Sequence, residues 1–277
     1  MQIVRSIPQM QAVKYPEAAQ VGFVPTMGYL HEGHLSLVDA AAKNCDLVVV
    51  SIFVNPAQFG PSEDLDSYPQ DFERDLALLQ KRKVDYVFFP TAEEVYPPGY
   101  KTWVEVEDIS RILCGISRPE HFKGVSTIVL KLLNIARPHF MYMGQKDFQQ
   151  LTLLRRMALD LNLSVSIVGC PIVREADGLA KSSRNIYLKG DQREQARCLY
   201  KALTHSQELV RVGERSAGKI IAAAEKILSD NQAKVDYVKI VDSRDLSETQ
   251  EVDECSRMLI AAWVGKPRLI DNISLKA

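Results

Sequence analysis

The chain has 277 residues, of which 46% are hydrophobic and 25% are charged, so it is long enough to bury one large core or two smaller ones. Its 34 basic and 35 acidic side chains give a net charge of -1, which excludes a global electrostatic attraction to nucleic acid or to anionic lipid. A ligand that carries phosphate must therefore be held by a local cluster of side chains.

The cysteine pattern and the hydropathy of the chain predict a cytoplasmic protein. The N-terminal sequence lacks the long apolar segment of a signal peptide, and the apolar run at residues 47–54 is too short to span a bilayer. The number of cysteines is odd, and they show neither CxxC nor Cys/His ligand spacing, which argues against a disulfide framework. The five cysteines are Cys45, Cys114, Cys170, Cys198 and Cys255.

Nearly continuous apolar runs predict buried strands in the first part of the chain. Segments with helical spacing of apolar residues lie between them, at residues 34–41, 72–79 and 125–135. This alternation of strand and helix predicts an α/β fold with a parallel sheet and right-handed crossovers. The strand-like runs are residues 21–25, 46–54, 84–89 and 163–168.

The composition changes after about Gly178, and the remaining chain predicts a smaller α+β domain. Two helical stretches, residues 191–212 and 216–228, precede two strand-like ones, residues 235–241 and 257–264. Nearer the N-terminus, prolines and a glycine interrupt regular structure in residues 55–68, which predicts a mobile flap there.

The first candidate for chemistry is the segment 27–34, which leaves the first predicted strand, turns at Gly28 and enters a helix near His34. A strand end that opens onto a helix N-terminus favours anions through its N–H groups and the helix dipole, and Gly33 allows a ligand to approach the backbone. His31 and His34 are three residues apart and so can donate to the same phosphate.

Two other interpretations of these histidines remain open. They can simply cap the helix or lie on its surface, since a motif of this kind is only a hypothesis. A zinc site is the weaker alternative, because no carboxylate or cysteine cluster lies nearby and the HExxH spacing is absent.

The second candidate is the segment 143–150, which follows another apolar stretch and again begins a helix. Gly144 permits a tight turn, Lys146 offers a point charge for a phosphate, and Asp147 is suited to cap the helix or to bind a ribose hydroxyl or magnesium. The amide of Gln150 can both donate to and accept from a hydroxy acid. A solvated Lys-Asp pair is the alternative interpretation.

The third candidate is the polar loop at residues 177–185. Ser182, Ser183 and Arg184 are suited to contact the oxygens of a triphosphate by hydrogen bonds and charge. A basic surface turn explains the same residues.

The fourth candidate lies directly after the second predicted strand, where Asn55 and Gln58 bring neutral amides to the end of the strand. Such groups suit a polar part of a substrate that carries no phosphate. Both are also common turn residues.

Together these segments resemble the pantoate–β-alanine ligases, or pantothenate synthetases, a family of the HxGH nucleotidyltransferase superfamily related in fold to class I aminoacyl-tRNA synthetases. The resemblance runs over residues 21–272 and rests on six motifs in the family's order, which is far more specific than any one of them. The motifs are PTMGYLHEGH, VSIFVNPAQF, SRPEHFKGVSTIV, GQKDFQQ, LAKSSRN and AAWVGKPRLIDN.

The resemblance implies a Rossmann-like domain for ATP and pantoate at residues 1–176 and a smaller α+β lid domain at residues 177–277. It implies a carbon–nitrogen ligase that forms pantoyl adenylate and pyrophosphate from (R)-pantoate and ATP, and releases AMP when β-alanine attacks the adenylate. It also implies that Mg²⁺ accompanies ATP and that the enzyme is a homodimer.

By the same resemblance, His34 is the catalytic proton donor, His31 helps to bind phosphate and Lys146 completes the catalytic group. Gln58 and Gln150 match the glutamines that bind pantoate, and Gln58 also meets β-alanine. The implied nucleotide-binding residues are Met27, Gly28, Tyr29, Leu30, His31, Glu32, Gly33, His34, Gly144, Gln145, Lys146, Asp147, Val173, Lys181, Ser182, Ser183 and Arg184.

Some positions refine this assignment. Val173 is implied to lie on the adenine side of the nucleotide, and no residue is assigned as a metal ligand. Lys181 departs from the family, which commonly has Met or Leu there, so a role for its ammonium is unassigned. Gln145 stands where Glu is frequent.

Two other functions are compatible with a nucleotide site at the two histidines. A nucleotidyltransferase that leaves the nucleotide on a phosphorylated substrate needs a strongly basic second pocket, and Gln58 and Gln150 speak against it. A non-catalytic nucleotide-binding module keeps the helix N-terminus but has no use for proton donors.

Overall fold

A computed structural model describes residues 1–61 and 63–276, which pack as two compact units. The first unit consists of Met1–Gln145 and Leu153–Pro171, and the second of Lys146–Thr152 and Ile172–Ala277. The predicted domain boundary between residues 176 and 177, and the role of the second domain as a lid, stay predictions.

A six-stranded sheet forms the centre of the first unit. Its spatial order is β1-β4-β3-β2-β5-β6, and every neighbouring pair is parallel. The inner strands are almost entirely buried, which explains their continuous apolar sequences. The strands are β1 (Gln2–Val4), β2 (Val21–Thr26), β3 (Leu47–Ile52), β4 (Tyr86–Phe88), β5 (Phe140–Gly144) and β6 (Ser166–Cys170).

Helices connect these strands, and the longer ones bury regularly spaced apolar residues. α6, for example, buries Val125, Ile128, Val129 and Leu132, the period that the sequence predicted. The helices are α1 (Ile7–Gln11), α2 (Glu32–Asn44), α3 (Phe72–Gln80), α4 (Ala92–Val95), α5 (Cys114–Ser117), α6 (His121–Ala136) and α7 (Phe148–Asp160). The first residues of α7, up to Thr152, belong to the second unit.

The order of the strands creates a switch point beside β2. The chain continues from β2 to β3 and β4 on one side, whereas β5 and β6 lie on the other side. In open parallel sheets, ligands bind outside the carboxyl ends of the strands at such a point. The segments that follow β2 and β5 are the ones that carry the two histidines and Gly144.

The second unit has a three-stranded antiparallel sheet in the order β7-β8-β9. Its apolar core joins this sheet to its helices, with Leu199, Leu203 and Ile220 packed in one cluster with Met258 and Leu269. The elements are α8 (Gln192–Ala196), α9 (Cys198–Arg211), α10 (Ala217–Asp230), β7 (Lys234–Asp242), β8 (Ser256–Trp263) and β9 (Arg268–Ser274).

The predicted α/β fold with a smaller α+β part is confirmed, and the structure corrects several elements. The last strand, β9, lacked a strand signal because it carries buried Asp271 and Asn272 in place of apolar residues. β6 begins at Ser166, not at residue 163, because Asn162 has a φ of 52° and the Leu163 N–H donates back to Ala158 O at the end of α7. No helix formed by the described residues is long and apolar enough to cross a membrane.

Candidate active site

The turn after β2 has a backbone that its sequence makes possible. Gly28 has a φ of 82°, and a Cβ there would lie 3.2 Å from Asp75 Oδ2, so both conformation and space favour glycine. Tyr29 follows with a φ of 49°, which is uncommon for a residue with a side chain. Thr26 ties the turn to the sheet, since its hydroxyl donates to Ser51 O and accepts from the Gly28 N–H.

Asp75, on α3, holds this turn in place. Its two carboxylate oxygens accept from the N–H groups of Tyr29 and Leu30, both at 2.7 Å, and its side chain is 1% exposed. Burial raises the pKa of Asp75, although the two N–H groups and the Arg74 charge work against that rise. The buried carboxylate therefore stabilises an unusual backbone immediately before the two histidines.

His31 and His34 occupy the start of α2, which begins at Glu32, two residues earlier than predicted. The Nδ1 atom of His31 accepts from the Gly33 N–H at 3.1 Å, and the Nδ1 atom of His34 accepts from the His31 N–H at 3.4 Å. The two rings stack with centroids 4.0 Å apart. Because a backbone N–H can only donate, each neutral ring carries its proton on Nε2.

The capping and donor interpretations of the histidines are therefore compatible. His31 does cap the helix, through Nδ1, and this same bond orients the Nε2–H of the ring as a donor. Glu32 is exposed in the first turn, where its charge complements the helix dipole.

Gln58, the first predicted pantoate residue, has an amide whose orientation is set by Asn55. Asn55 Oδ1 accepts from the Ala57 N–H and its Nδ2 donates to Gly124 O, so the orientation of the Asn55 amide is fixed. The same Nδ2 donates to Gln58 Oε1 at 3.1 Å, which leaves the Gln58 NH₂ group as the donating end, 3.1 Å from Met27 Sδ. Gln58 thus presents donors suited to an anionic or hydroxyl oxygen.

Further contacts anchor the segment around Gln58. The Tyr96 hydroxyl donates to Asn55 Oδ1 at 2.8 Å, and burial raises the pKa of Tyr96. A Cβ on Gly124 would lie 2.1 Å from Ala57 O, so α6 approaches this segment as closely as only glycine permits. These buried contacts make Asn55 more than a turn residue, a question that the sequence left open.

The main-chain carbonyl of Gln58 is held from α6 and from the loop before it. His121 Nδ1 lies 2.9 Å from this carbonyl oxygen, and Arg118 Nη2 donates to it at 3.3 Å. Arg118 also forms a bidentate pair with Glu63, with both hydrogen bonds at 2.6 Å. His121, the first residue of α6, thus contacts the main chain of a predicted substrate-binding residue.

The segment after β5 begins in the first unit and continues in the second. Gly144 ends β5, and Gln145 Nε2 donates to Gly169 O on the neighbouring strand β6 at 3.2 Å. In the second unit, the half-buried Lys146 and Asp147 belong to a single 3-10 turn, Gln145–Asp147, that leads into α7. The carbonyl of Lys146 accepts from Asn272 Nδ2 at 2.9 Å.

The two glutamines at the start of α7 differ in exposure. Gln149 is buried at 4% exposure, whereas Gln150 is half-buried. Of the two residues, Gln150 is the more exposed, and its role as a pantoate-binding residue stays a prediction.

Residues 173–181 form a hairpin in the second unit. Its strands are joined by the Lys181 N–H, which donates to Val173 O, and by a bridge between Arg174 and Ala180. The Lys181 ammonium, unassigned from the sequence, forms an ion pair with Glu175 at 2.8 Å. Val173 is half-buried at the start of this hairpin.

The hairpin leads directly into the predicted phosphate-binding residues. Ser182 caps the short 3-10 helix Ser183–Tyr187 by accepting from the Arg184 N–H at 3.3 Å. Ser183 is buried, and Ser182 and Arg184 are half-buried. The three polar residues thus follow one another through a compact turn rather than a flexible loop.

Among residues 1–61 and 63–276, no group of three or more His, Cys, Asp or Glu side chains is arranged to hold a metal ion.

Sequence reasoning missed two groups of buried polar residues. Asp75 stands on the apolar stripe of α3, between Phe72 and Leu79, and a carboxylate in that position was a readable signal. Asp271 and Asn272 belong to a motif that was recognised, but without a strand assignment their roles could not be deduced.

A parallel sheet with a switch point, a strand that opens onto a helix N-terminus, and paired imidazole donors define a Rossmann-like α/β nucleotide-binding protein. A family model described as pantoate-beta-alanine ligase matches residues 2–274. The chain belongs to the pantoate–β-alanine ligase family. The predicted activity, ATP-dependent condensation of (R)-pantoate with β-alanine to pantothenate, is confirmed.

Similar proteins of full length support this membership. The chain is 53% identical over 281 residues to the pantothenate synthetase of Thermotoga neapolitana, covering 99% of this chain and 100% of the relative. The crystal structure of pantothenate synthetase from Thermus thermophilus has a TM-score of 0.96 at 43% identity and covers all of both chains.

A third relative was solved with ligands. The pantoate-beta-alanine ligase from Francisella tularensis, complexed with beta-gamma ATP and β-alanine, has a TM-score of 0.82 at 35% identity, and 99% of this chain and 98% of that one are covered.

Proposed function

We propose that this ligase uses His31 and His34 to form pantoyl adenylate. In the first step a pantoate carboxylate oxygen attacks the α-phosphorus of ATP, and pyrophosphate leaves. In the second step the amine of β-alanine attacks the adenylate carbonyl, an amide bond forms and AMP leaves. The observation that carries this assignment is the pair of Nδ1 hydrogen bonds that makes both rings Nε2–H donors at one helix start.

The two rings have distinct roles in this proposal. His34 donates to the phosphoryl oxygens as negative charge builds on phosphorus, and His31 holds the phosphates while it caps α2. Stacked neutral imidazoles can do this without charge repulsion between them, because each ring donates through Nε2 and accepts through Nδ1. The N–H groups at the start of α2 add to the stabilisation of the anion.

The nucleotide-binding residues implied by the family resemblance are retained in this proposal. In the first unit these are Met27 to His34, Gly144 and Gln145. In the second unit Lys146 supplies a positive charge to a phosphate, Asp147 meets the ribose or the metal, Val173 lies against adenine, and the segment Lys181 to Arg184 binds the phosphates. Charge placed where the transition state becomes more negative accelerates phosphoryl transfer.

Gln58 and Gln150 bind pantoate in this proposal, and Gln58 also meets β-alanine. The donating end of the Gln58 amide, set by Asn55, suits the hydroxyl and carboxylate oxygens of a hydroxy acid. An uncharged pair of amides selects against a substrate with an additional phosphate, which separates this function from that of a nucleotidyltransferase.

We also propose that Mg²⁺ accompanies ATP, and the carboxylate of Asp147 would be suited to hold it. When bound, the ion would neutralise charge on the phosphates. Assembly as a homodimer and location in the cytoplasm stay predictions. Light scattering after size-exclusion chromatography tests the first, and microscopy of a tagged chain in its own cells tests the second.

The proposed function is tested by incubating the purified protein with ATP, pantoate and β-alanine and measuring AMP and pantothenate by mass spectrometry. Both products should require all three substrates, whereas exchange of pyrophosphate into ATP should require pantoate but not β-alanine. Absence of AMP formation that depends on both substrates would overturn the proposal. Retention of the AMP group on the product would favour the nucleotidyltransferase instead.

A further inference from the structure

Two adjacent polar residues on β9, Asp271 and Asn272, are almost completely buried, at 3% and 2% exposure. Successive side chains of a strand point to opposite faces of the sheet. Burial of a carboxylate and an amide side by side on one strand is costly unless each is fully hydrogen-bonded. Their partners show why the strand carries them.

Asn272 holds the main chain of Lys146. Its Nδ2 donates to Lys146 O at 2.9 Å, while its Oδ1 accepts from Arg257 Nη1. The Arg257 guanidinium also lies 4.1 Å from the ring centre of Phe148, the first residue of α7. One amide thus joins β8 and β9 to the short turn that carries the predicted catalytic lysine.

Asp271 holds the hairpin of residues 173–181 from the other face of the sheet. Its carboxylate forms a bidentate pair with Arg174, with hydrogen bonds at 2.6 and 3.0 Å. Arg174 also donates to Gly178 O at the tip of the hairpin and lies over the ring of Tyr200 on α9. Burial raises the pKa of Asp271, and the Arg174 charge and hydrogen bonds oppose that rise.

We propose that Asp271 and Asn272 are positioning residues for ATP, with Asn272 orienting Lys146 and Asp271 orienting the hairpin that leads to Ser182, Ser183 and Arg184. The side chains of these two neighbouring residues point in opposite directions, so one dipeptide of β9 positions both of the proposed phosphate-binding segments in the second unit. The inference rests on the proposed roles of Lys146 and of residues 182–184. It adds two residues that touch no substrate themselves.

The same sheet contains a matched control. Arg268, also on β9, pairs with Asp236 on β7 through hydrogen bonds at 2.6 and 2.9 Å, and both side chains are largely buried. The hydrogen bonds of this Asp-Arg pair tie strands of the same sheet to each other rather than to Lys146 or to the 173–181 hairpin. Asp236→Asn therefore measures what the loss of such a pair does to the fold alone.

The first experiment compares Asn272→Asp, Asp271→Asn and Asp236→Asn with the parent protein. Asn272→Asp keeps an acceptor for Arg257 but replaces the donor to Lys146 O by a second oxygen. ATP binding by calorimetry and pantoate-dependent pyrophosphate exchange should both fall about 10- to 100-fold in the first two variants, since small displacements of binding groups have effects of this size. KM for β-alanine should stay within about twofold of the parent value, a split that general destabilisation does not produce.

Asp236→Asn should bind ATP like the parent protein, even where its thermal unfolding is lowered as much as in the other variants. The inference is overturned if folded Asn272→Asp binds and uses ATP normally, or if Asp236→Asn loses as much ATP affinity. Calorimetry measures ATP binding without turnover. A parent protein that binds ATP but makes no pantothenate would refute the proposed ligase mechanism, and the ATP affinities of the three variants would still test this inference.

A double-mutant cycle separates positioning of Lys146 from structural damage, and it uses Asn272→Ala if Asn272→Asp does not fold. If Asn272 acts through the Lys146 ammonium, its replacement should lower pyrophosphate exchange far less in a Lys146→Ala background than in the parent protein. Equal losses in the two backgrounds would overturn this part of the inference.

Discussion

The rings of His31 and His34 stack with centroids 4.0 Å apart, and each uses Nδ1 to accept a main-chain N–H at the start of α2. The arrangement orients both Nε2–H groups through the helix cap itself. Each ring therefore caps the helix through Nδ1 and is oriented to bind phosphate through Nε2 in the proposed mechanism. Substitutions can test these two roles separately.

His31→Asn should preserve the cap and withdraw the second donor, because the NH₂ group of the shorter asparagine does not reach the position that the Nε2–H of His31 occupies. Asparagine is among the best N-cap residues, so the free energy of unfolding should change by about 1 kcal/mol or less. Pantoate-dependent pyrophosphate exchange should nevertheless fall on the order of 10²-fold, the usual cost of one lost anion-stabilising donor.

His34→Ala is the comparison for that measurement, and it should lower the exchange rate at least as much with the fold intact. A His31→Asn variant that exchanges pyrophosphate at the parent rate would show that His31 only caps the helix. Stability is followed by urea unfolding on the same preparations.

Asp75→Asn should disturb the turn after β2. The carboxylate accepts hydrogen bonds from two N–H groups, one at each oxygen. An amide has only one oxygen, so one of the two N–H groups would face the NH₂ group of the asparagine instead. We expect the free energy of unfolding to fall by about 1–3 kcal/mol and KM for ATP to rise, because the strained turn leads directly to His31.

Asp71→Asn is the control on the same helix. Asp71 caps α3 by accepting from the Arg74 N–H, and asparagine caps equally well. Urea unfolding and the kinetics of adenylate formation check both variants, and equal behaviour of the two would refute the role assigned to Asp75.

Lys181→Met should have little effect on ATP use. The ammonium is paired with Glu175 at 2.8 Å, and both side chains are partly exposed, so we expect the nucleotide to meet the main chain at this position. The loss of such an ion pair should change KM for ATP, or the equilibrium constant for unfolding, by about fivefold or less.

A Glu175→Gln variant controls for the ion pair itself and should be equally mild. Steady-state kinetics at varied ATP concentration check the prediction. A loss of ATP affinity of about tenfold or more in Lys181→Met alone would instead assign the ammonium to a phosphate.

The Glu63-Arg118 pair should stabilise the folded protein by an amount that depends on pH. Burial would raise the pKa of Glu63, but hydrogen bonds and charge from Arg118 outweigh it and hold the pKa below its ordinary value of 4.5. Because the folded-state pKa is the lower one, the stabilisation is fully present above pH 4.5 and is lost as the pH falls through the folded-state value. Glu63→Gln should therefore lower the free energy of unfolding by about 1–2 kcal/mol at neutral pH and by less in acid.

Urea unfolding of the parent protein and Glu63→Gln between neutral pH and about pH 3 measures this difference. Arg118→Gln removes the same pair and should show the same trend with pH. A difference that stays constant across the range would contradict the assignment to this pair.

Much of the chemistry was readable from short stretches of sequence. The apolar runs predicted β2, β3 and β4, and helical spacing predicted α2, α3 and α6, because these elements bury regular stripes or whole strands. The histidine, lysine and glutamine motifs each lie within a few residues of a strand end, so local sequence preserved them as recognisable units. Their assigned roles stay predictions.

The sequence by itself thus determined the class of fold and the family, and it predicted which residues form the site. Only the tertiary structure decided which residues hold them in place. Asp75 accepts from the turn before His31, Asn55 donates to Gln58, and Asn272 donates to the carbonyl of Lys146. These partners are 45, 3 and 126 positions away from the groups they hold, and two of the three distances bear no relation to helix or strand period. Long-range hydrogen bonds leave no periodic signal in a sequence, so their partners became visible only once the chain was folded.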